Sequence, residues 1–157
     1  MKKPENIYKI LIAVDDTPYS DQAVNYGFLL AKKLGSAIAL VHVNEIPIGT
    51  PYIGDQIMYE TPVLIPEIMD IQKEASKNLF DRLAGQLGNE VPLYTYTKIG
   101  NPKDEILATA DECDADMIIL GTHGRTGLDH FLSGSIAESV ARKAKCPVLI
   151  VPNKDKD

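Results

Sequence analysis

Residues 7–14, IYKILIAV, are mostly apolar and β-branched, and Thr17-Pro18 follows them. A run of this length and composition predicts a strand that is covered on both faces. Thr17 suits the N-cap of a helix, and proline suits its first position. Apolar residues then recur at helical spacing until Gly35, where the helix should end: Ala23, Tyr26, Leu30 and Leu34. A buried strand followed by a capped helix is therefore the first unit of the fold.

The same unit recurs along the chain. Further strands are predicted at residues 37–43, 91–98, 117–120 and 148–151. The other predicted helices are one that ends at Gly88, one that begins at Asn101-Pro102, and one over residues 135–145. In the helix that ends at Gly88, the residues expected to face the core are Ile68, Ile71, Ala75, Leu79, Leu83 and Leu87. In the helix that begins at Asn101-Pro102, they are Ile106, Leu107 and Ala110. This alternation predicts an α/β fold, an open five-stranded parallel sheet with helices on both faces. The third strand alternates in polarity and is expected at an edge.

Residues 44–66 break this pattern. Four prolines and two glycines fall within them: Pro47, Pro51, Pro62, Pro66, Gly49 and Gly54. Such a density of breakers predicts a long irregular connection, of the kind that is functional or mobile in compact domains. The sequence leaves open whether this segment covers a ligand, contributes to a dimer or is disordered.

Composition excludes several classes of protein. The 157 residues suit a single domain, 1–157, with 45% apolar and 24% charged residues. A net charge of −6 argues against binding to nucleic acid. No stretch has the length of a membrane span, and the first residues do not resemble a signal peptide. Cys113 and Cys146 have no metal-like spacing and are expected to be reduced thiols. We therefore expect a cytoplasmic protein.

A glycine-rich loop follows the fourth strand. It runs from Gly121 to Gly134 and enters the last helix at Ser135. Glycine allows close approach of the backbone to a ligand, and a helix N-terminus offers free N–H groups and partial positive charge to a phosphate. We expect phosphate to be held by these amides, by the hydroxyls of Ser133 and Ser135, and by Arg125. The loop is not a Walker A motif, because its lysine is missing.

The spacing Gly121-x2-Gly124-x9-Gly134-Ser135 resembles the nucleotide loop of the universal stress protein family, in its ATP-binding branch. Four further stretches share the resemblance, which covers nearly the whole chain: residues 10–15 (ILIAVD), 40–43 (LVHV), 116–121 (DMIILG) and 146–152 (CPVLIVP). The resemblance implies a Rossmann-like sheet of order 3-2-1-4-5. It also implies a homodimer formed through the last strand, Val148, Leu149, Ile150 and Val151. An uncovered apolar edge strand favours such pairing on physical grounds as well.

The resemblance also implies where the nucleotide lies. It places the nucleoside against the turn after the first strand, with Asp15 near the ribose or near Mg or Mn bound to the phosphates. The backbone of Val43 is expected to meet the adenine, and Leu120 to form an apolar wall. The full set of expected contacts is Ala13, Val14, Asp15, Val43, Leu120, Gly121, Thr122, Gly124, Arg125, Ser133, Gly134, Ser135 and Ile136. His42 is expected in the core, and His123 in an exposed loop.

These features predict an ATP-binding regulatory protein of the stress response, a nucleotide sensor that acts through a dimer. No catalytic constellation accompanies the loop, so no catalytic residue is assigned. A slow ATPase, or a protein that phosphorylates its own loop hydroxyls, is the enzymatic alternative. AMP, ADP or a cyclic nucleotide could replace ATP, since recognition of a base by backbone leaves no side-chain signature. A phosphorylated receiver is disfavoured because the third strand ends at residues 98–100 (KIG) without an acid.

Overall fold

The structure is a computed structural model, and it describes residues 5–49, 52–53, 56–57, 63–122 and 135–152. Five strands form its principal sheet: β1 (Lys9–Ala13), β2 (Ala37–Asn44), β3 (Leu93–Ile99), β4 (Met117–Gly121) and β5 (Val148–Val151). Four helices accompany them: α1 (Pro18–Leu34), α2 (Pro66–Leu87), α3 (Pro102–Glu112) and α4 (Ser135–Lys143). The order of elements is the one predicted.

All neighbouring strands of this sheet are parallel, in the order β3-β2-β1-β4-β5. The predicted order 3-2-1-4-5 is confirmed, and β3 lies at an edge as expected. β1 occupies the centre, where it pairs with β2 on one side and with β4 on the other. Consistent with a strand buried on both faces, Ile10, Leu11 and Ile12 are fully buried.

Helices cover both faces of the sheet, as predicted. Because successive strand residues point to opposite faces, β1 supplies two separate apolar layers. Ile10 and Ile12 belong to the cluster that includes residues of α1 and α2. Leu11, with Ala13 beside it, belongs to the cluster that includes residues of α3 and α4.

β1 is shorter than the predicted strand over residues 7–14. At the start of the strand, the Asp116 carboxylate accepts hydrogen bonds from the backbone N–H groups of Tyr8 and Lys9, at 2.8 and 3.0 Å. On the other side, the Tyr8 carbonyl accepts a hydrogen bond from the Ala37 N–H of β2 at 2.8 Å, so the side chain takes the place of β4 but not of β2. After the strand, Val14 stays extended enough to donate its N–H to the carbonyl of Val41, at 2.9 Å.

The predictions of which residues of α1 and α2 face the core were wrong in part. Tyr26 and Leu34 of α1 are 54% and 50% exposed, and Ile71 of α2 is 67% exposed. The buried residues of α1 are Ser20, Ala23, Val24, Gly27 and Ala31, and those of α2 are Ser76, Leu79, Phe80, Leu83 and Leu87. With 22 residues, α2 is roughly 33 Å long at 1.5 Å per residue. It therefore exceeds the strands beneath it, and Ile68 and Ile71 in its first turns stay exposed in the part of the chain that the structure describes.

Between β2 and α2 the described residues form short antiparallel pairings where an irregular connection was expected. Residues 48–49 pair with 63–64, and 52–53 pair with 56–57. Three of the prolines that suggested irregularity directly precede a paired segment: Pro47, Pro51 and Pro62. A proline at the start of a strand is tolerated because its missing N–H is not needed by the ladder.

Both cysteines are free, as predicted. Burial raises the pKa of the Cys113 thiol, and burial together with Asp116 and Asp111 raises the pKa of the Cys146 thiol. Both groups are thus thiols rather than thiolates near neutral pH, which lowers their reactivity. Across the described ranges, no helix is long and apolar enough to cross a membrane.

Two helical glycines provide a matched test of how α1 packs on the sheet. A Cβ added at Gly27 would overlap Ile12 Cδ1 and lie 3.1 Å from Ile12 Cγ1, whereas one added at Gly85 meets nothing within 4 Å. Overpacking costs about 1–3 kcal/mol, and alanine gains up to about 1 kcal/mol in a helix. We expect Gly27→Ala to lower the free energy of unfolding in urea by about 1 kcal/mol. Gly85→Ala should raise it by a similar amount. Equal effects at the two sites would contradict the close contact of α1 with β1.

Candidate functional site

The carboxyl ends of β1, β2 and β4 meet at one edge of the sheet. Ile12 of β1 lies beside Leu40 of β2 and Ile119 of β4, so β1 and β4 end within one residue of each other and β2 runs three residues farther than β1, to Asn44. The chain passes from β1 to β2 and β3 on one side, and then returns to place β4 on the other side of β1. The winding thus reverses between β1 and β4. Ligands of open α/β sheets bind outside the carboxyl ends at such a reversal.

Four of the predicted contact residues belong to the apolar cluster on the α3–α4 face of the sheet. Leu120 is buried within the cluster, and the partly buried Ala13, Val43 and Ile136 pack against it. The first three lie at or next to the carboxyl ends of adjoining strands, and Ile136 lies in the first turn of α4. Val14 is different, because it belongs to the cluster on the opposite face. It can offer only its main chain to a ligand on the α3–α4 side.

The turn after β1 is organised by its own side chains. The N–H of Asp15 donates to Ser20 Oγ at 3.0 Å, and the Asp15 carboxylate accepts a hydrogen bond from Thr17 Oγ1. Thr17 occupies the N-cap position of α1 as predicted, but its side chain does not cap the helix. Asp15 is half-buried in this arrangement. Its carboxylate is thus held in a fixed position at the edge of the sheet.

Two further acids of the same segment contact an arginine of α2. Arg82 donates from Nη1 to both carboxylate oxygens of Asp21, at 3.2 and 3.3 Å, and from Nη2 to Oδ1 at 3.3 Å. Its Nη2 also lies 3.7 Å from Asp16 Oδ1. Sequence analysis missed Arg82 because 61 residues separate it from Asp21 and no local pattern relates them.

The end of β4 and the start of α4 form the opposite side of the edge. Gly121 ends β4, and the N–H of the partly buried Thr122 donates to the Val151 carbonyl at 3.1 Å. α4 begins at Ser135 as predicted, and it ends at Lys143, two residues before the expected Lys145. A helix that connects parallel strands returns towards their amino ends, so the N-terminus of α4 lies at the carboxyl edge.

The intervening contact residues, Gly124, Arg125, Ser133 and Gly134, lie outside the described residues, as does His123. The last turn of α4 contains Arg142 and Lys143. Cations at the C-terminus complement the helix dipole and leave its N-terminus available to an anion.

The end of β2 is fixed to α2 by a buried polar network. His42 Nδ1 and Asn44 Nδ2 lie 2.8 and 2.9 Å from Ser76 Oγ, and this hydroxyl donates to the Gln72 carbonyl at 2.9 Å. Because the hydroxyl proton is used on the carbonyl, both neighbours must donate to the oxygen. His42 is 4% exposed, which agrees with the prediction of a satisfied core residue. Sequence analysis missed Ser76, because nothing in the sequence indicates which groups a serine on the inner face of a helix will contact.

A cavity of about 90 Å³ lies at the other end of the sheet. Its lining includes Ala115 and Cys146, which precede β4 and β5, together with Leu107, Ile118 and the ion-paired Asp111 and Lys145. It does not coincide with the carboxyl edge. In the part of the chain that the structure describes, no group of three or more His, Cys, Asp or Glu side chains could hold a metal ion.

The sheet order, the two helical layers and the reversal between β1 and β4 define an α/β protein of the Rossmann-like type. Residues 6–152 match the model of the universal stress protein family, and the chain belongs to this family. It is 31% identical over 160 residues to universal stress protein MJ0531 of Methanocaldococcus jannaschii, covering 100% of this chain and 89% of that one. It is 31% identical over 144 residues to universal stress protein YxiE of Bacillus subtilis, covering 91% and 97%.

Solved structures share the fold at lower sequence identity. Universal stress protein UspA from Lactobacillus plantarum superposes with a TM-score of 0.79 at 21% identity, covering 94% of this chain and 99% of that one. A universal stress protein in complex with cAMP gives 0.64 at 22% identity, covering 94% and 98%. One from Archaeoglobus fulgidus in complex with dAMP gives 0.60 at 23% identity, covering 91% and 96%.

The network at the end of β2 can be tested by removing its central hydroxyl. Ser76→Ala leaves the buried donors of His42 and Asn44 without this acceptor, and each such loss costs about 1–3 kcal/mol. We expect the free energy of unfolding in urea to fall by about 2 kcal/mol. Asn78→Ala, at an exposed position of the same helix, is the control and should change it by less than about 0.5 kcal/mol. A similar result for both variants would contradict the network.

Proposed function

We propose that this protein binds ATP at the carboxyl edge of its sheet and acts as a nucleotide-responsive regulator in the stress response. The observation that carries the proposal is that Ala13, Val43 and Leu120, at or next to the carboxyl ends of adjoining strands, share one apolar cluster with Ile136 in the first turn of α4. An apolar surface suits a nucleobase, and a helix N-terminus suits phosphate. Membership in the universal stress protein family supports the same function.

The phosphates would lie at the beginning of α4. The first N–H groups of a helix have no partner within it, and they carry the positive end of the dipole. Residues of the glycine loop, namely Gly121, Thr122, Gly124, Arg125, Ser133, Gly134 and Ser135, are proposed to surround them. The protein has a net charge of −6, so attraction to an anion has to come from such local features.

The nucleoside would lie across the ends of β1 and β2. Val43 is proposed to meet the adenine through its backbone, Ala13 offers a small apolar side chain, and Val14 offers its main chain. Asp15, fixed by Thr17 and Ser20, is proposed to reach the ribose or a Mg or Mn ion on the phosphates. One carboxylate together with phosphate oxygens suits Mg²⁺, which prefers oxygen ligands and is usually held by few protein groups.

Other adenine nucleotides compete with ATP as the ligand. Relatives with this fold have been solved with cAMP and with dAMP, and each carries a single phosphate. A site that holds its ligand at the start of α4 through several phosphates should bind ATP more tightly than AMP or the cyclic form. Mass spectrometry of small molecules released from the purified protein would identify the ligand that it carries from the cell.

Calorimetric titration of nucleotide-free protein with ATP and Mg²⁺ tests the proposal. We expect saturable binding that Ser135→Ala weakens about tenfold, the effect of losing one hydrogen bond to a charged group. Gly134→Val should weaken binding further, because a branched side chain would obstruct the approach of phosphate to the loop. Gly85→Ala, on the exposed surface of α2, is the control and should bind like the wild type. Absence of ATP binding by the folded wild-type protein would exclude the proposal, and equal affinity for cAMP would favour the cyclic nucleotide.

We further propose that the regulator is a homodimer that forms through β5. β5 pairs with β4 on one side, and within the described residues no strand pairs with its other side. Its sequence Val148–Val151 is entirely apolar, and Ile150 is 38% exposed. An edge strand of this kind can extend its ladder by pairing with a second copy. Such a contact would join two nucleotide sites through the strand that follows α4.

Substitution at each edge of the sheet tests the dimer. The chain has a mass of 17.2 kDa, and light scattering after gel filtration should give twice this value for the wild type. Ile150→Lys places a charge on the proposed interface and should shift the mass to that of one chain. Ile99→Lys places the same charge at a position of β3, on the opposite edge, that is 41% exposed. The Ile99 variant is the control and should remain dimeric. If it dissociates while the Ile150 variant stays dimeric, the interface lies at β3.

A further inference from the structure

We propose that Arg82 of α2 is a positioning residue for this site, which holds the turn after β1 and offsets its negative charge so that phosphate can approach. The inference rests on the proposed function, and it adds a residue to which neither the sequence nor the family resemblance assigned a role. Arg82 has no predicted contact with the nucleotide. Its effect would pass through the acidic residues of the turn.

The contacts of Arg82 suit this role. Its two Nη atoms form three hydrogen bonds to Asp21, at 3.2 and 3.3 Å, and Nη2 also lies 3.7 Å from Asp16. A planar guanidinium can contact two carboxylates at once, which the point charge of lysine does less well. Asp16 directly follows Asp15, and Asp21 lies in the first turn of α1. Arg82 therefore holds the segment that directly follows Asp15.

The charge of this segment would otherwise oppose the proposed ligand. Asp15, Asp16 and Asp21 place three carboxylates within seven residues, and charges of like sign repel the phosphates of ATP. Asp15 is directed by Thr17 and Ser20, whereas the other two acids contact Arg82. Pairing with Arg82 leaves Asp15 as the acid of the turn that is available to a ribose or a metal ion.

α2 also contacts the second nucleoside segment. Ser76, six residues before Arg82, binds His42 and Asn44 on either side of Val43. One helix thus orients the ends of both β1 and β2, although it supplies none of the predicted nucleotide contacts. The effect of Arg82 can be separated from a general effect of α2, because only the former depends on the charge of the ligand.

The experiment compares a charged ligand with a neutral one. MgATP is titrated into three proteins: the wild type, Arg82→Met, and the double variant that combines Arg82→Met with Asp21→Asn. Adenosine binding to the same proteins is measured by displacement of a fluorescent nucleotide. Methionine keeps an aliphatic stem and removes the charge. We expect Arg82→Met to weaken MgATP binding about tenfold, because the carboxylates of Asp16 and Asp21 lose their compensating positive charge and repel the phosphates. Adenosine binding should change less than about threefold, and Asp21→Asn should restore most of the MgATP affinity.

Other outcomes overturn the inference in distinguishable ways. Equal weakening of MgATP and adenosine would show that α2 acts only as a structural support. Unchanged MgATP binding by folded Arg82→Met would exclude Arg82 and leave the proposed function intact. Failure of the wild type to bind MgATP would overturn both proposals.

If Arg82→Met does not fold, Asp16→Asn with Arg82 retained gives an independent test. Asp16 is 74% exposed, so the fold should tolerate this change. The variant should bind MgATP a few times more tightly without a change for adenosine. Unchanged or weaker MgATP binding by this variant would contradict the proposal.

Discussion

The burial of β1 between two strands and two layers of helices is the constraint on which the rest of the structure depends. Ile10, Leu11 and Ile12 are fully buried, and alternate residues of the strand enter separate apolar clusters. A strand in this position fixes the register of β2 on one side and of β4 on the other. It thereby determines that the chain reverses its winding beside Ala13, and the candidate site follows from that reversal.

The proposed nucleotide would bring an anionic ligand to an acidic protein, and this would require local compensation. The net charge of −6 would by itself discourage binding of phosphate. The N-terminus of α4 supplies partial positive charge from the backbone. Arg82 pairs with Asp16 and Asp21, which follow Asp15, so the turn would present less uncompensated charge to the proposed ligand. Both features act over short distances and leave the overall charge of the protein unchanged.

Different residues of α2 pack against the sheet and contact the segments of the candidate site. Its second half is buried against the sheet through Leu79, Phe80, Leu83 and Leu87. Its polar contacts, from Ser76 and Arg82, reach the ends of β2 and the turn after β1. Its first turns extend beyond the sheet, where Ile68 and Ile71 remain exposed. The helix is therefore a support that reaches two segments of the candidate site without being part of it.

The sequence by itself determined the class of fold, the order of its elements and the family. Buried strands such as residues 10–14 and capped helices such as those at Pro18 and Pro102 have local signals, because burial and capping depend on near neighbours in the chain. The family resemblance also pointed to Ala13, Val43, Leu120 and Ile136, and the parallel sheet brings the first three to its carboxyl edge. The inner faces of α1 and α2 were predicted only in part, because apolar spacing alone could not distinguish Ala31 from Leu34.

Only the tertiary structure decided which polar side chains meet. Ser76 reaches His42 and Asn44 across more than thirty positions of the chain, and Arg82 reaches Asp21 across 61. Neither apolar periodicity nor a helix cap in the sequence predicts such contacts, because they depend on how α2 packs against the sheet. Strand alternation places Ala13 and Val14 on opposite faces, and the packing of helices decided which cluster each of them joins. Local sequence fixes elements, whereas long-range packing fixes the partners of their polar groups.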